Sequence, residues 1–393
     1  MLSVAEARAL MLARTQPLDS EAVALSRALS RVLAAPLIAT RDQPPFASSA
    51  MDGYALASCP APRDVELVGE SAAGRAFSGA LKPNQAVRIS TGAPMPEGAD
   101  GVLIQEDARV EGARLIGANV KSGRHVRPRG GDFAAGDLLL ERGRQLGPVA
   151  IGLAASAGVA ELDVMRRPHV TVFAGGDEIT QPGAEARPDQ VYESGAFAVR
   201  GMIEQWGGMA PRAPPLPDCE TRIMEAASAA LQTCDLIVLI GGASVGPHDH
   251  ARPALKRLGV EIIVEKIAVR PGKPTWFGVA ESGLVLGLPG NPASALFCAA
   301  LFLRPILDVM MGRAPHAALR THAAALATPL AANGARETYL RARLQEDGRI
   351  SVFDNQDSSL LSVLAKSTAL VVREPNAASA GVGEAAHYLD FNP

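Results

Sequence analysis

Between Asp235 and Gly246 the chain reads Asp-Leu-Ile-Val-Leu-Ile-Gly-Gly-Ala-Ser-Val-Gly, an unbroken apolar run that stops at paired glycines. A run of branched residues without polar alternation predicts a strand over 236–240, buried on both faces. From Pro168 onward, short apolar runs at 170–173, 262–264, 275–279 and 284–288 alternate with amphipathic segments. Val199, Ile203 and Trp206 repeat at helical spacing behind Ser194, which can cap that helix, and Gly207-Gly208 end it. Ile223, Ala227 and Leu231 mark a second helix after Asp218, and 251–258 a third, closed by Gly259. A long apolar helix begins near Pro292. This alternation predicts an α/β region with a mostly parallel sheet and helices on both faces.

The flanks have a different texture. Ser3-Val4-Ala5-Glu6 has capping-box spacing and opens a helix. Leu25, Ala28, Leu29 and Val32 repeat at helical spacing and predict a second. Glycine and proline then break the chain as far as residue 140, leaving short strands predicted over 65–68, 86–89, 102–104 and 138–140. Segments 43–54 and 91–98 are too rich in Pro, Gly and Ser for regular structure, and 149–157 reads as helix again. After Pro315, strands are predicted over 323–326, 339–344, 350–353, 369–372 and 386–389. The expected domains are therefore a split helical domain (1–40 with 141–167), a small β-rich domain (41–140), the α/β domain (168–314) and a terminal β-domain (315–393).

At 393 residues the chain exceeds one ordinary core, which agrees with several domains. Aromatic content of 4% argues against stacking platforms for nucleic acid, and a net charge of −3 against bulk attraction to nucleic acid or membrane. Cys59, Cys219, Cys234 and Cys298 are scattered, as expected of reduced thiols packed as small hydrophobes. No signal pattern opens the chain and no apolar stretch of about 18 residues lacks charge, so a cytoplasmic protein is expected.

Three glycine-bearing loops follow strands of the α/β region: Gly175-Gly176-Asp177-Glu178, Gly241-Gly242-Ala243-Ser244 and Pro289-Gly290-Asn291-Pro292. Parallel strands put the loops that follow them at one carboxyl edge, where such sheets bind ligands. Backbone N–H groups of the second and third loops suit phosphate or another oxyanion. Glu178, with Asp249 beyond the second loop, supplies two carboxylates suited to Mg²⁺ bridging phosphate oxygens; a pair of solvated turn acids would have the same spacing. Arg270-Pro271-Gly272-Lys273-Pro274 sets two cations on a proline-stiffened turn, which suits an oxyanion and equally an ordinary surface turn. Asp52, in Met51-Asp52-Gly53, reads alone as a turn former. Gly242-Ala243-Ser244-Val245-Gly246 matches the hydrolase nucleophile elbow, but Pro247 and His248 stand where its helix should begin. His248 and His250 have no third metal ligand nearby, and neither a P-loop nor a strand-linked G-x-G-x-x-G occurs.

Taken together these loops resemble the MoeA family, molybdopterin molybdenumtransferases related to the E domain of gephyrin. The matching pieces, in order, are Pro44-Pro45-Phe46 with Ser49-Ala50-Met51-Asp52-Gly53-Tyr54-Ala55; Arg88-Ile89-Ser90-Thr91-Gly92-Ala93-Pro94; and Pro96-Glu97-Gly98-Ala99-Asp100. Gly176-Asp177-Glu178, the 241–246 loop, Pro271-Gly272-Lys273-Pro274 and Gly287-Leu288-Pro289-Gly290-Asn291-Pro292 follow, so the resemblance covers nearly the whole chain.

The resemblance implies the four domains above, the third being a three-layer MogA-like domain and the last a β-barrel. It implies an elongated homodimer that inserts molybdate into adenylylated molybdopterin, with Mg²⁺-dependent release of AMP. The product would pass to molybdoenzymes or a chaperone. Gly241, Gly242, Ser244, Pro289, Gly290, Asn291 and Pro292 would cradle the pterin and its phosphates. Glu178 and Asp249 would hold the metal, and Arg270 and Lys273 would neutralise molybdate and developing phosphate charge. Asp52, Thr91 and Asp132 would reach in from the partner subunit, and Arg341 and Ser358 would help bind molybdate. The chain departs from the family pattern at Arg270 (usually Lys), Gly131 (usually Glu), Glu193 and Gly195 (usually Asp and Asn) and Pro247 (commonly Asp). A weakened or non-catalytic paralogue, acting as a cofactor-binding or scaffold protein, is therefore the alternative. A molybdopterin adenylyltransferase shares the α/β fold but not the other three domains.

Overall fold

Leu236–Ile240 is buried along its whole length, as its composition requires. In the computed structural model it lies second in a five-stranded sheet ordered Val170–Ala174, Leu236–Ile240, Gly283–Leu288, Trp276–Ala280, Glu261–Val264. The first three strands are parallel. Trp276–Ala280 runs antiparallel to both its neighbours, the one reversed strand in a sheet that is otherwise aligned as a mostly parallel one should be, because only Glu281 and Ser282 separate it from Gly283–Leu288. So short a link permits a hairpin but no crossover. Leu236, Val238 and Ile240 pack on one side with the helices Gly195–Gln205 and Pro292–Cys298. Ile237 and Leu239 pack on the other with Glu220–Leu231 and Ala251–Arg257, which gives three layers.

The structure describes residues 1–241, 250–315 and 320–391. They form two compact units: Met1–Glu21 with Ser30–Ala34 and Asp163–Pro393, and Ala22–Leu29 with Ala35–Leu162. In the first unit, the helix Val4–Ala13 carries the expected capping box, with Ser3 and Glu6 each accepting from the other's backbone N–H, and buries Val4, Ala7 and Met11. The helix predicted around Leu25 is only a 3₁₀ turn, Leu25–Arg27, and Ser30 stands at φ 63°, outside helical geometry.

The apolar helix from Pro292 runs as Pro292–Cys298, a π turn Ala299–Leu303, and Arg304–Met310. Pro305 has no N–H to return to the preceding turn, and the wider π geometry accommodates it. By length and composition alone Pro292–Met310 could cross a membrane, but 83% of that window is buried in the protein, and it serves as a core helix. Its buried Asp308 is paired with Arg304 at 3.1 Å and Arg313 at 3.4 Å.

The terminal strands pair in the order Glu337–Leu344, Ala369–Arg373, Ala385–Asp390, Thr321–Ala325, and Ile350–Val352 pairs with the first of them. A bridge from Leu326 to Ile350 closes the ring around Leu326, Ala342, Ile350, Val371 and Tyr388, a small barrel. Val269–Arg270 adds to this sheet beside Glu337 and Thr338, which sets the Arg270 turn against the barrel.

The second unit holds a six-stranded sheet ordered Gly101–Ile104, Gly53–Leu56, Gln85–Ile89, Arg63–Ser71, Arg114–Ala118, Arg109–Glu111. The irregular loop expected over 43–54 is shorter than its composition suggested, since Gly53–Leu56 is an interior strand. A Cβ on Gly53 would stand 2.1 Å from the Leu103 carbonyl oxygen, so the glycine marks close strand contact, not a loop. Helix Pro148–Ser156 follows as predicted.

Candidate functional site

The three parallel strands of the α/β sheet end side by side, and so do the described starts of their glycine loops, at Gly175, Gly241 and Gly290. Gly175 N–H donates to the Ile240 carbonyl at 2.8 Å and Gly241 N–H to the Leu288 carbonyl at 3.3 Å. Gly241 has φ +87°, and a Cβ there would meet the Gly175 oxygen at 2.6 Å; a Cβ on Gly290 would meet the Gly241 Cα at 3.5 Å. At Gly175, Gly241 and Gly290 the rim is thus bare backbone, packed loop against loop. The N-terminus of the helix Gly195–Gln205 abuts it, with Gly195 against Ile240 and Pro292. Gly242, Ser244 and Asp249, and with them the elbow-like motif, Pro247 and His248, lie outside the described residues.

Glu178 sits on the first loop with its carboxylate folded over Gly176, and that carboxylate makes no hydrogen bond or ion pair with another described residue. Asp177 is engaged within the protein: its carboxylate accepts from the Asp218 N–H at 3.1 Å and ties down the loop. Glu193 is buried, and burial raises its pKa against the pull of Arg200 and Arg212. Ser194 occupies the helix N-cap, but its hydroxyl makes no capping bond.

A cavity of about 610 Å³ adjoins the third loop. It brings together Arg270, Lys273, Pro289, Asn291, Arg341 and Ser358, six residues singled out from sequence. Arg336 and Arg373 also line it and raise its cationic groups among the described residues to five, against one described carboxylate, Asp357. Asp357 itself is held below the ordinary carboxylate range by the hydroxyl and N–H of Ser359. Glu178 is not among the lining residues, so the expected meeting of Glu178 and Lys273 in one cavity is not observed.

Each cation is placed by its backbone. Arg270 and Lys273 flank Gly272, whose φ is +117° and whose Cβ would stand 2.4 Å from the Cys298 sulfur; no other residue fits that turn without displacement. Thr275 donates its hydroxyl to the same sulfur at 3.3 Å, and complete burial pushes the Cys298 thiol up to about 12. This cysteine is inert packing beneath the turn.

Arg341 is buried, and desolvation lowers its pKa. Its guanidinium donates to the carbonyls of Leu360 at 3.1 Å and Asp357 at 2.8 Å, bracing the loop that presents Ser358. Gln356 grips Arg341 in turn: its Oε1 accepts from Arg341 N–H at 2.9 Å, and its Nε2 donates to the carbonyls of Arg341 at 3.0 Å and Phe353 at 2.7 Å. Ser358 Oγ accepts from Asn291 Nδ2 at 2.7 Å, which links the third glycine loop to the barrel loop.

In the second unit the remaining predicted residues gather on adjoining loops. Asp52 accepts from Thr91 through the N–H at 2.6 Å and the hydroxyl at 3.1 Å, and these bonds hold its pKa below the usual value. Ser49 bonds to Gly92 and Ala93, and Ala50 to His125. The turn before Asp132 is pinned to Pro44 and Gln43, and Asp132 itself is exposed. Arg336, Arg373, Asn333 and Gln356 are not foreseen from the sequence. Strand register, with Arg373 opposite Thr338, brings Arg373 to the cavity, and hydrogen bonds of Asn333 to Arg336 and Arg373 and of Gln356 to Arg341 bring the rest; no local motif signals either.

The glycine-rimmed sheet is of the molybdopterin-binding kind: residues 171–309 match the model of a probable molybdopterin binding domain. Residues 2–158 match the MoeA N-terminal region (domain I and II), and 323–391 the MoeA C-terminal region (domain IV). The chain belongs to the MoeA family. It is 34% identical to the molybdopterin molybdenumtransferase of Haemophilus influenzae over 100% of this chain and 99% of that one. Against the enzyme of the same name from Synechococcus elongatus it is 32% identical over 94% of each chain. Among solved structures it resembles the molybdopterin biosynthesis MoeA protein of Pyrococcus horikoshii, with TM-score 0.87 and 27% identity over the whole of both chains.

Proposed function

We propose that this protein is the molybdenum-inserting transferase of molybdenum cofactor biosynthesis, acting in the cytoplasm on molybdate and adenylylated molybdopterin. The cavity carries the reading: among the described residues five cationic side chains and one acid line it beside a bare-backbone rim, and an oxyanion substrate supplies the missing charge. The backbone at Gly241 and Gly290 holds the pterin's phosphate oxygens, while Lys273, Arg270 and the Ser358 hydroxyl hold molybdate. Full-length likeness to enzymes named for this transfer favours catalysis over a scaffold role, despite the changes at Arg270, Gly131, Glu193, Gly195 and Pro247.

An all-oxygen donor set of one or two carboxylates plus substrate phosphate suits Mg²⁺. Glu178, whose carboxylate has no described partner, fits that part, and Asp249 would be the second ligand. When bound, the ion neutralises phosphoanhydride charge as AMP departs. On the same reading the chain divides into four domains at residues 40, 140, 167 and 314. It pairs as a homodimer in which Asp52, Thr91 and Asp132 serve the partner's α/β cleft. Product passes to molybdoenzymes or a chaperone.

Purified protein given adenylylated molybdopterin, molybdate and Mg²⁺ should release AMP, and Glu178→Ala should not. Failure of the parent chain under conditions where the Haemophilus influenzae relative turns over refutes the proposal. Restored activity on mixing Asp52→Ala with Glu178→Ala subunits tests the homodimer; its absence refutes the shared site.

A further inference from the structure

Among the described residues that line the cation-rich cavity, the single carboxylate is out of place for a site that takes an oxyanion. It belongs to Asp357, an exposed residue immediately before Ser358, which lines the same cavity. Five cationic side chains line that cavity too, yet Asp357 forms no ion pair with any described residue. Its Oδ1 accepts instead from the Ser359 N–H at 2.8 Å and the Ser359 hydroxyl at 2.7 Å, both neutral donors. The backbone of Asp357 is fixed separately: its N–H donates to Asn355 Oδ1 at 3.0 Å, and its carbonyl accepts from Arg341 Nη2 at 2.8 Å.

The loop therefore does not need the negative charge. An amide at 357 offers the same oxygen to Ser359 and leaves both backbone bonds in place. What the charge does reach is the site: Asp357 supports the charged form of the Arg341 guanidinium against the burial that lowers its pKa. The Ser359 donors keep the carboxylate ionised, so it meets an arriving anion with repulsion that no paired cation cancels. That repulsion scales with the anion's charge, and a dianion feels twice what a monoanion feels at the same place.

We infer that Asp357 is a specificity residue of the cavity, weakening the hold on a doubly charged tetrahedral anion beside Ser358 so that the surrounding cations do not retain it. The anion is molybdate, an identity that rests on the function proposed above. Attraction felt equally by the bound anion and the transition state lowers KM without raising kcat, so opposing it does not slow turnover.

The test is equilibrium binding of molybdate, and separately of perrhenate, a tetrahedral oxyanion with a single charge, to the full chain and to its Asp357→Asn and Asp357→Glu variants. With water-like screening between neighbouring side chains, removing the charge should tighten molybdate binding roughly 3- to 10-fold, and perrhenate binding only by the square root of the factor found for molybdate. Asp357→Glu keeps the charge and should bind neither anion more tightly than the parent. In AMP release, Asp357→Asn should show a lowered KM for molybdate with kcat no higher than the parent's. Asp357→Asn binding molybdate no more tightly than the parent overturns the inference and spares the proposed function. Equal tightening of both anions, the mark of a rearranged loop, does the same. A parent that binds no molybdate overturns both.

Discussion

Replacing Gln356 by alanine tests whether Arg341 and Ser358 are placed by the loop or merely lie near it. Gln356 lines the cavity, and its amide bonds to Arg341 at N–H, Nε and carbonyl, and to the Phe353 carbonyl. Truncation strands the Arg341 backbone N–H and one guanidinium N–H and removes a donor from the Phe353 carbonyl, while the Arg341 carbonyl keeps the Phe353 N–H at 3.0 Å. A stranded buried group costs about 1–3 kcal/mol. If the loop bears this cost only when it closes on substrate, molybdate binding weakens by roughly 5- to 150-fold, since about 1.4 kcal/mol is tenfold. Gln356→Glu does not rescue: it keeps an acceptor for Arg341 but turns a carboxylate oxygen toward two carbonyls. The assay is steady-state AMP release against molybdate concentration, with unfolding followed in parallel. The expected result is a raised KM for molybdate in both variants with unchanged KM for the adenylylated pterin. A molybdate KM equal to the parent's in Gln356→Ala, with the protein folded, would refute the positioning role.

Gly272→Ala forces a side chain into left-handed backbone and onto the Cys298 sulfur; at about 1–3 kcal/mol for overpacking alone, a lowered Tm and weakened molybdate binding should both appear. Gly287→Ala meets the Trp276 indole at 1.9 Å and should lower Tm with little specific effect on molybdate affinity in whatever fraction folds. Glu193 has its folded pKa raised by burial, so the folded state binds its proton more tightly than the unfolded one, and stability falls as pH rises from the ordinary carboxylate value through the folded one. Glu193→Gln should therefore raise Tm at neutral pH and leave it unchanged at pH low enough to protonate the parent; equal shifts at both would contradict this. Asp52 is the opposite case: its folded pKa is depressed by Thr91, so its contribution holds above the ordinary carboxylate value and is lost only as pH falls through the lower, folded one. Asp52→Asn should remove that acid-limb dependence, checked by Tm against pH.

The elements legible in the sequence were those fixed by a local period. The run at 236–240 had to be a doubly buried strand, and the capping box at Ser3 and the glycine stops needed no distant partner. That Gly175, Gly241 and Gly290 share one rim followed from strand direction alone. What stayed hidden depends on register and contact. Trp276–Ala280 looked like any other strand of the α/β region until its short link to the next reversed it. Gly53–Leu56 looked like loop because its glycine marks close strand packing. Arg373 reaches the cavity through strand pairing and Arg336 through the hydrogen bonds of Asn333. Arg341 was expected as an oxyanion ligand, and the structure adds that most of its donors brace the loop of Ser358.

On the proposed function, charge and bare backbone at one cleft couple molybdate capture to AMP release. The most direct test of that coupling counts molybdenum built into the pterin against AMP released, for the parent chain and for Lys273→Ala. Equal amounts in the parent, with both lost together in Lys273→Ala, are the expected result. AMP released without molybdenum in the product, or Lys273→Ala indistinguishable from the parent, would contradict it.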